Sequence, residues 1–144
     1  MTIPPIILVE DNPDDERLTL RALQRGNIAN KILVARNGEE ALTLIFNSNP
    51  LPSVVLLDLK LPKISGLEVL RQIRANERTS LLPVVVLTSS SEEQDILDSY
   101  NLRANSYVRK PVGIEKFTEA VRQLGLYWAV INEVISHEIP ESSL

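Results

Sequence analysis

Four short aliphatic runs, each closed by a polar residue, constrain this chain more than any other feature. They are Ile6-Ile7-Leu8-Val9 before Glu10, Ile32-Leu33-Val34-Ala35 before Arg36, Val54-Val55-Leu56-Leu57 before Asp58 and Val84-Val85-Val86-Leu87 before Thr88. Runs that are apolar at consecutive positions suit strands buried on both faces of a parallel sheet. A fifth run, Ser106-Tyr107-Val108-Arg109, is more polar, as an edge strand is.

Helical segments alternate with these runs. Asn12 is a good N-cap, Pro13 suits the first helical position, and Asp14, Asp15 and Glu16 complement the helix dipole, so a helix is predicted over 13–25, before Gly26. Asn37-Gly38 turns into a second helix ended by the Pro50 and Pro52 region. Gly66 opens a third that carries Leu67, Leu70 and Ile73 at three-residue steps. Ser90 and Glu93 have capping-box spacing ahead of Ile96, Leu97 and Tyr100, and a final helix follows Lys110-Pro111, starting near Gly113 or Ile114. Strict alternation implies an α/β fold, a doubly wound parallel sheet with right-handed crossovers and helices on both faces.

At 144 residues, the chain fits one domain, expected over 1–137 with a disordered tail at 138–144. A second catalytic or DNA-binding domain has no room. Fifteen Lys and Arg against nineteen Asp and Glu give a formal charge of -4, so no positive field favours nucleic acid or an anionic bilayer. The absence of cysteine excludes thiolate metal sites and cysteine nucleophiles. The start, MTIPPIILVEDN, lacks a cationic region and meets acid after a short apolar run. It reads as neither signal peptide nor membrane span, and the cytoplasm is the expected compartment.

In open α/β sheets the ligand site lies beyond the carboxyl ends of the strands. The residues there are Glu10-Asp11, Asp58, Thr88 followed by three serines, and Lys110. Three crowded carboxylates raise one another's pKa unless a cation intervenes. Oxygen donors without Cys or a nearby His favour Mg²⁺ or Mn²⁺. Such an ion eases the repulsion between a carboxylate nucleophile and an incoming phosphoryl group, while Lys110 adds positive charge and Thr88 a hydrogen-bond donor. Asp58 is the candidate nucleophile, forming an aspartyl phosphate. Taken singly, each acid also reads as a helix cap or loop end, Thr88 as a cap and Lys110 as an exposed lysine beside a turn.

The sequence resembles the receiver domain of two-component response regulators over nearly all of 5–125. The likeness runs through VEDN at 9–12, LLDLKLP at 56–62, Gly66, VVLTS at 85–89 and Lys110-Pro111. The resemblance implies a flavodoxin-like fold with strand order 2-1-3-4-5. It implies Asp58 as phosphoacceptor, Asp11 as direct Mg²⁺ ligand, Glu10 acting on the ion through water, and the Lys60 main-chain carbonyl as a further ligand. It makes Thr88 the switch hydroxyl, Lys110 the phosphate-pairing lysine with a cis bond to Pro111, and Tyr107 the aromatic that moves inward. Lys60 and Ser90 match the positions that tune dephosphorylation. The implied function is phosphoryl transfer from a sensor histidine kinase, followed by a shift of the face made by the fourth helix, fifth strand and fifth helix. Such a protein is a phosphoacceptor and not a turnover enzyme. Departures are Glu10 where Asp is usual, Ser89 where Ala is common, and Ser65 where Asp or Asn often stands. VEDNP, LLDLKLP and a C-terminal Tyr-Trp helix look like the stand-alone receivers that partner cyanobacterial and bacterial phytochrome kinases.

From Ile114, the residues Phe117, Val121, Leu124, Trp128, Ile131 and Ile135 follow in alternating steps of three and four, a coiled-coil seam. A helix over 114–135 extends ~32 Å, longer than an ordinary strand covers. A homodimer on this seam is therefore expected; the competing reading is that the stripe simply covers the sheet. His137 falls in that outer helix with no kinase ATP-binding motif beside it and reads as a surface residue. Two rival functions remain: a pseudo-receiver that binds without phosphorylation, and a Mg²⁺-dependent phosphatase of the haloacid dehalogenase type. The latter needs an acid two residues after its nucleophile, where Lys60 has the opposite charge.

Overall fold

The computed structural model describes residues 3–26, 28, 30–88, 102–110, 113, 115, 116 and 119. In order these form β1 (Ile6–Val9), α1 (Pro13–Arg25), β2 (Ile32–Ala35), α2 (Gly38–Phe46), β3 (Val54–Asp58), α3 (Gly66–Ala75), β4 (Val84–Thr88) and β5 (Ser106–Arg109). All five strands pair in parallel in the order β2-β1-β3-β4-β5, as the resemblance implies. β5 is an edge strand, as its polarity predicts. The segment with the Ser90–Glu93 capping box, all but a few residues of the helix expected from Ile114, and the tail at 138–144 lie outside the described residues.

Consecutive apolar residues supply two cores because side chains alternate across a strand. Ile7, Val9, Val55, Leu57, Val84 and Val86 face Ala41 and Ile45 of α2 and Val69, Leu70 and Ile73 of α3. Ile6, Leu8, Val54, Leu56, Val85, Leu87 and Val108 face the other way, with Leu23 of α1. At about 25 cal/mol per Å² of apolar surface removed from water, burying such a side chain fully contributes about 1.5–3 kcal/mol. One polar insertion into these runs would expose or strand a residue on one face or the other.

The helix starts follow from capping. Asn12 Oδ1 accepts from the N–H groups of Asp14 at 2.8 Å and Asp15 at 3.0 Å, Asn37 Oδ1 from Glu40 at 2.8 Å and Ser65 Oγ from Glu68 at 3.2 Å. β3 and β4 each run one residue beyond the aliphatic stretch, because Asp58 pairs with Leu87 and Thr88 with Arg109. α2 stops at Phe46, short of the prolines that the sequence suggested as its end. There the Asn47 N–H bonds Thr43 O at 3.1 Å and Ser48 Oγ donates to Leu44 O at 2.6 Å, satisfying carbonyls that would otherwise need a further turn.

Candidate functional site

β1, β3 and β5 deliver their C-terminal residues to one edge of the sheet. Glu10 continues the β1 ladder, its N–H bonding Ala35 O at 2.9 Å, so its side chain enters the interior and is fully buried. Asp58, the last residue of β3, is 4% exposed. Lys110 follows β5 directly, and its ammonium reaches three of the four acids around it. Nζ lies 2.9 Å from Asp58 Oδ2, 3.0 Å from Glu10 Oε1 and 3.2 Å from Asp15 Oδ2. The contacts to Asp58 and Asp15 are hydrogen bonds. The one to Glu10 is an ion pair without hydrogen-bond direction, which leaves Glu10 Oε1 buried without a hydrogen-bond partner. An open pocket of about 580 Å³ covers the cluster, walled by Glu10, Asp11, Asp15, Leu18, Asp58 and Lys60.

Backbone contacts hold Asp58 in place. Its Oδ1 accepts from the Lys60 N–H at 3.3 Å, and the Gly66 N–H bonds Leu59 O at 2.9 Å. A Cβ on Gly66 would collide with the Asp58 carbonyl, and one on Gly38 with the Ile64 carbonyl. The intervening loop reverses at Lys63, which takes a left-handed φ of 67°. Glycine at 38 and 66 thus lets α2 and α3 close on the loop that follows the acid.

The electrostatics follow from burial. Burial, and then the neighbouring Asp58 carboxyl, push Glu10 up to about 7, against a smaller downward pull from Lys110. For Lys110, burial alone would lower the pKa, but the close contacts and charges of Asp58 and then Glu10 outweigh it, and the ammonium is held above its ordinary value. One lysine thus stands among four carboxylates, a local excess of negative charge.

Glu10, Asp11 and Asp58 each offer a carboxylate oxygen, and these oxygens lie within 4.8 Å of one another. The buried Glu10 oxygen that lacks a hydrogen bond, the exposed carboxylate of Asp11 and the all-oxygen donor set fit a hard divalent cation such as Mg²⁺ or Mn²⁺.

The sequence placed Glu10, Asp11, Asp58, Lys60 and Lys110 at this edge, and the structure brings them together. Thr88 ends β4 at the same edge. Tyr107 lies in β5 opposite Val86 and packs, half-buried, on the α2 and α3 side of the sheet. Ser90, Pro111 and its bond to Lys110, and the seam residues Phe117, Val121, Leu124, Trp128, Ile131 and Ile135 lie outside the described residues. Asp15 also joins the site, a residue whose place in the first turn of α1 had suggested only a role in the helix dipole.

The family model for the response regulator receiver domain matches residues 6–122. The chain belongs to this family. Among curated relatives, the receiver is 36% identical to response regulator Rcp1 of Synechocystis over 132 residues, covering 87% of this chain and 90% of Rcp1. It is 40% identical over 127 residues to the "Probable methanogenesis regulatory protein FilR2" of Methanothrix harundinacea, with 85% and 82% covered. Among solved structures, the bacteriophytochrome response regulator AtBRR superposes with a TM-score of 0.84 at 47% identity, covering 92% of this chain and 99% of AtBRR. The Mn²⁺-bound form of Rcp1 superposes with a TM-score of 0.69 at 35% identity, with 88% and 94% covered. Metal binding is thus seen in a structural relative of this receiver.

Proposed function

We propose that this receiver accepts a phosphoryl group on Asp58 from the phosphohistidine of a sensor histidine kinase. The observation that carries the reading is Asp58 itself: a buried carboxylate at the end of the central strand, open to a pocket and bonded at 2.9 Å to a lysine fifty-two residues away. An Asp58 oxygen attacks phosphorus, a P–O bond forms, and the P–N bond to histidine breaks with its electrons returning to the imidazole. Lys110 supplies positive charge where the phosphoryl oxygens arrive, and the Lys60 N–H holds the other carboxylate oxygen. A divalent cation held by Glu10, Asp11, Asp58 and the Lys60 carbonyl would screen charge between donor and acceptor.

Thr88 and Tyr107 are the residues we assign to sensing the new group, and Lys60 and Ser90 those that set its lifetime. The output is a changed surface around β5 and its neighbouring helices, read by a partner protein in the cytoplasm. The chain turns over no substrate in this reading, apart from self-phosphorylation by small donors and hydrolysis of its acyl phosphate. Similarity to the bacteriophytochrome response regulator AtBRR supports a phytochrome-type kinase as the donor. The 3.5-residue repeat from Ile114 to Ile135 supports a homodimer.

The test is acetyl phosphate with Mg²⁺, read by intact mass. The wild type gains one phosphoryl group and Asp58→Asn gains none. A wild type that stays unlabelled while its partner still responds to the unmodified protein would favour a pseudo-receiver instead.

A further inference from the structure

Asp15 is the one acid of the site with no part in the reading above, and it sits on the lysine that reading needs. An ammonium has three donors at tetrahedral angles that turn together about the Cε–Nζ bond. In Lys110 two of them are committed, to Asp58 Oδ2 at 2.9 Å and to Asp15 Oδ2 at 3.2 Å. Glu10 Oε1, 3.0 Å away, lies within ion-pair reach of the same ammonium. The hydrogen bonds to Asp58 and Asp15 tie the lysine to β3 on one side and to α1 on the other. Asp15 is in turn held in place. Its N–H is bonded by the Asn12 cap, and the next residue, Glu16, is clamped by the Arg36 guanidinium at 2.9 and 3.1 Å.

We infer that Asp15 is a positioning residue which keeps Lys110 divided between α1 and the acceptor, and that it competes with the phosphoryl group for the ammonium. The inference rests on Asp58 being the acceptor. In the unmodified site, Lys110 is shared among three carboxylates, with hydrogen bonds to Asp58 and Asp15. Once Asp58 is esterified, its carboxylate charge is gone and the phosphoryl oxygens must win the lysine from Asp15, whose side chain is 34% exposed and free to stay. Asp15 thus weakens the modified state relative to the unmodified one, and its removal strengthens Lys110 pairing with a phosphoryl group.

Beryllofluoride with Mg²⁺, which takes the geometry of an acyl phosphate on the acceptor, tests this by calorimetric titration. Asp15→Asn is expected to bind it about 3- to 10-fold more tightly than the wild type, the range of a partly exposed charge pair. Asp14→Asn controls for loss of one negative charge, since Asp14 pairs outward with Arg17 and stays within about 2-fold. The gain from Asp15→Asn should vanish in a Lys110→Met background. An unchanged or weaker affinity in Asp15→Asn overturns the inference, as does an equal gain in Asp14→Asn or a gain that persists without the lysine. If Lys110→Met does not fold, the comparison of Asp15→Asn with Asp14→Asn decides alone. A wild type that binds no beryllofluoride overturns the acceptor reading, and this inference with it.

Discussion

The α-carbon of Gly66 is seated against the main-chain carbonyl of Asp58, with no room for a Cβ between them. The backbone of the acceptor and the start of α3 are therefore one packed unit. Gly66→Ala must push that carbonyl or the helix aside, at a cost of about 1–3 kcal/mol. Thermal melts should show the loss, and acetyl phosphate labelling should slow with it. An unchanged melting temperature would mean that the loop yields freely.

Lys110 and Asp58 form a buried, hydrogen-bonded pair, their side chains 15% and 6% exposed. In metal-free protein, Lys110→Met leaves Asp58 and Glu10 without their cation and should destabilise by up to about 3 kcal/mol. The same change made in Asp58→Asn should cost clearly less. Denaturant melts of the four proteins give the coupling, and a value within about 0.5 kcal/mol of zero would contradict the pairing.

Glu10, raised to about 7 by burial and then by Asp58, gives the metal-free protein a pH signature. Unfolded, the group ionises near its ordinary 4.5. Between about 4.5 and 7 the folded chain keeps a proton that the unfolded chain has lost, so stability falls as pH rises through that window. The slope from one proton is at most about 1.4 kcal/mol per pH unit. Glu10→Gln should abolish it. For the same reason, Mg²⁺ binding should strengthen with pH up to about 7 and release protons, which calorimetry in buffers of different ionisation enthalpy measures.

Arg74, whose pKa burial lowers with Arg103 adding to the effect, staples the end of α3 to the approach to β5. It donates to Leu82 O at 2.7 Å, Asn105 Oδ1 at 2.9 Å, Arg103 O at 3.0 Å and Ser80 O at 3.2 Å. Asn105 Oδ1 also accepts from the Val84 N–H at 2.8 Å. Arg74→Ala should cost about 2–3 kcal/mol and speed hydrogen exchange at Val84. Arg74→Lys should recover little, because an ammonium cannot span four acceptors in a fork.

The seam over 114–135 predicts a dimer in dilute solution. Mass photometry with and without beryllofluoride and Mg²⁺ should detect it, and Trp128→Glu together with Ile131→Glu should abolish it. Monomer under every condition would mean that the stripe covers the sheet.

The strands were legible because Ile6 to Val9 and Val54 to Leu57 are apolar at every position, which only burial on both faces allows. Glu10, Asp58 and Lys110 were legible because a polar residue closing such a strand has few places to go but the ligand edge. Asp15 was not, since an acid in a first helical turn already has a complete local explanation. Its partnership with Lys110 depends on how α1 lies over the strand ends, which no spacing encodes. The end of α2 was missed for a related reason: Asn47 and Ser48 close the helix with their own hydrogen bonds before the prolines are reached.

The two glycine contacts have a mechanical consequence. Gly66 is wedged under Asp58 and Gly38 under Ile64, so the connection from β3 to α3 is braced from two sides by backbone that cannot compress. The acceptor rests on an anvil. A phosphoryl group on Asp58, as proposed, would have closely packed backbone behind it and the open pocket before it, on the side of the lysine after β5.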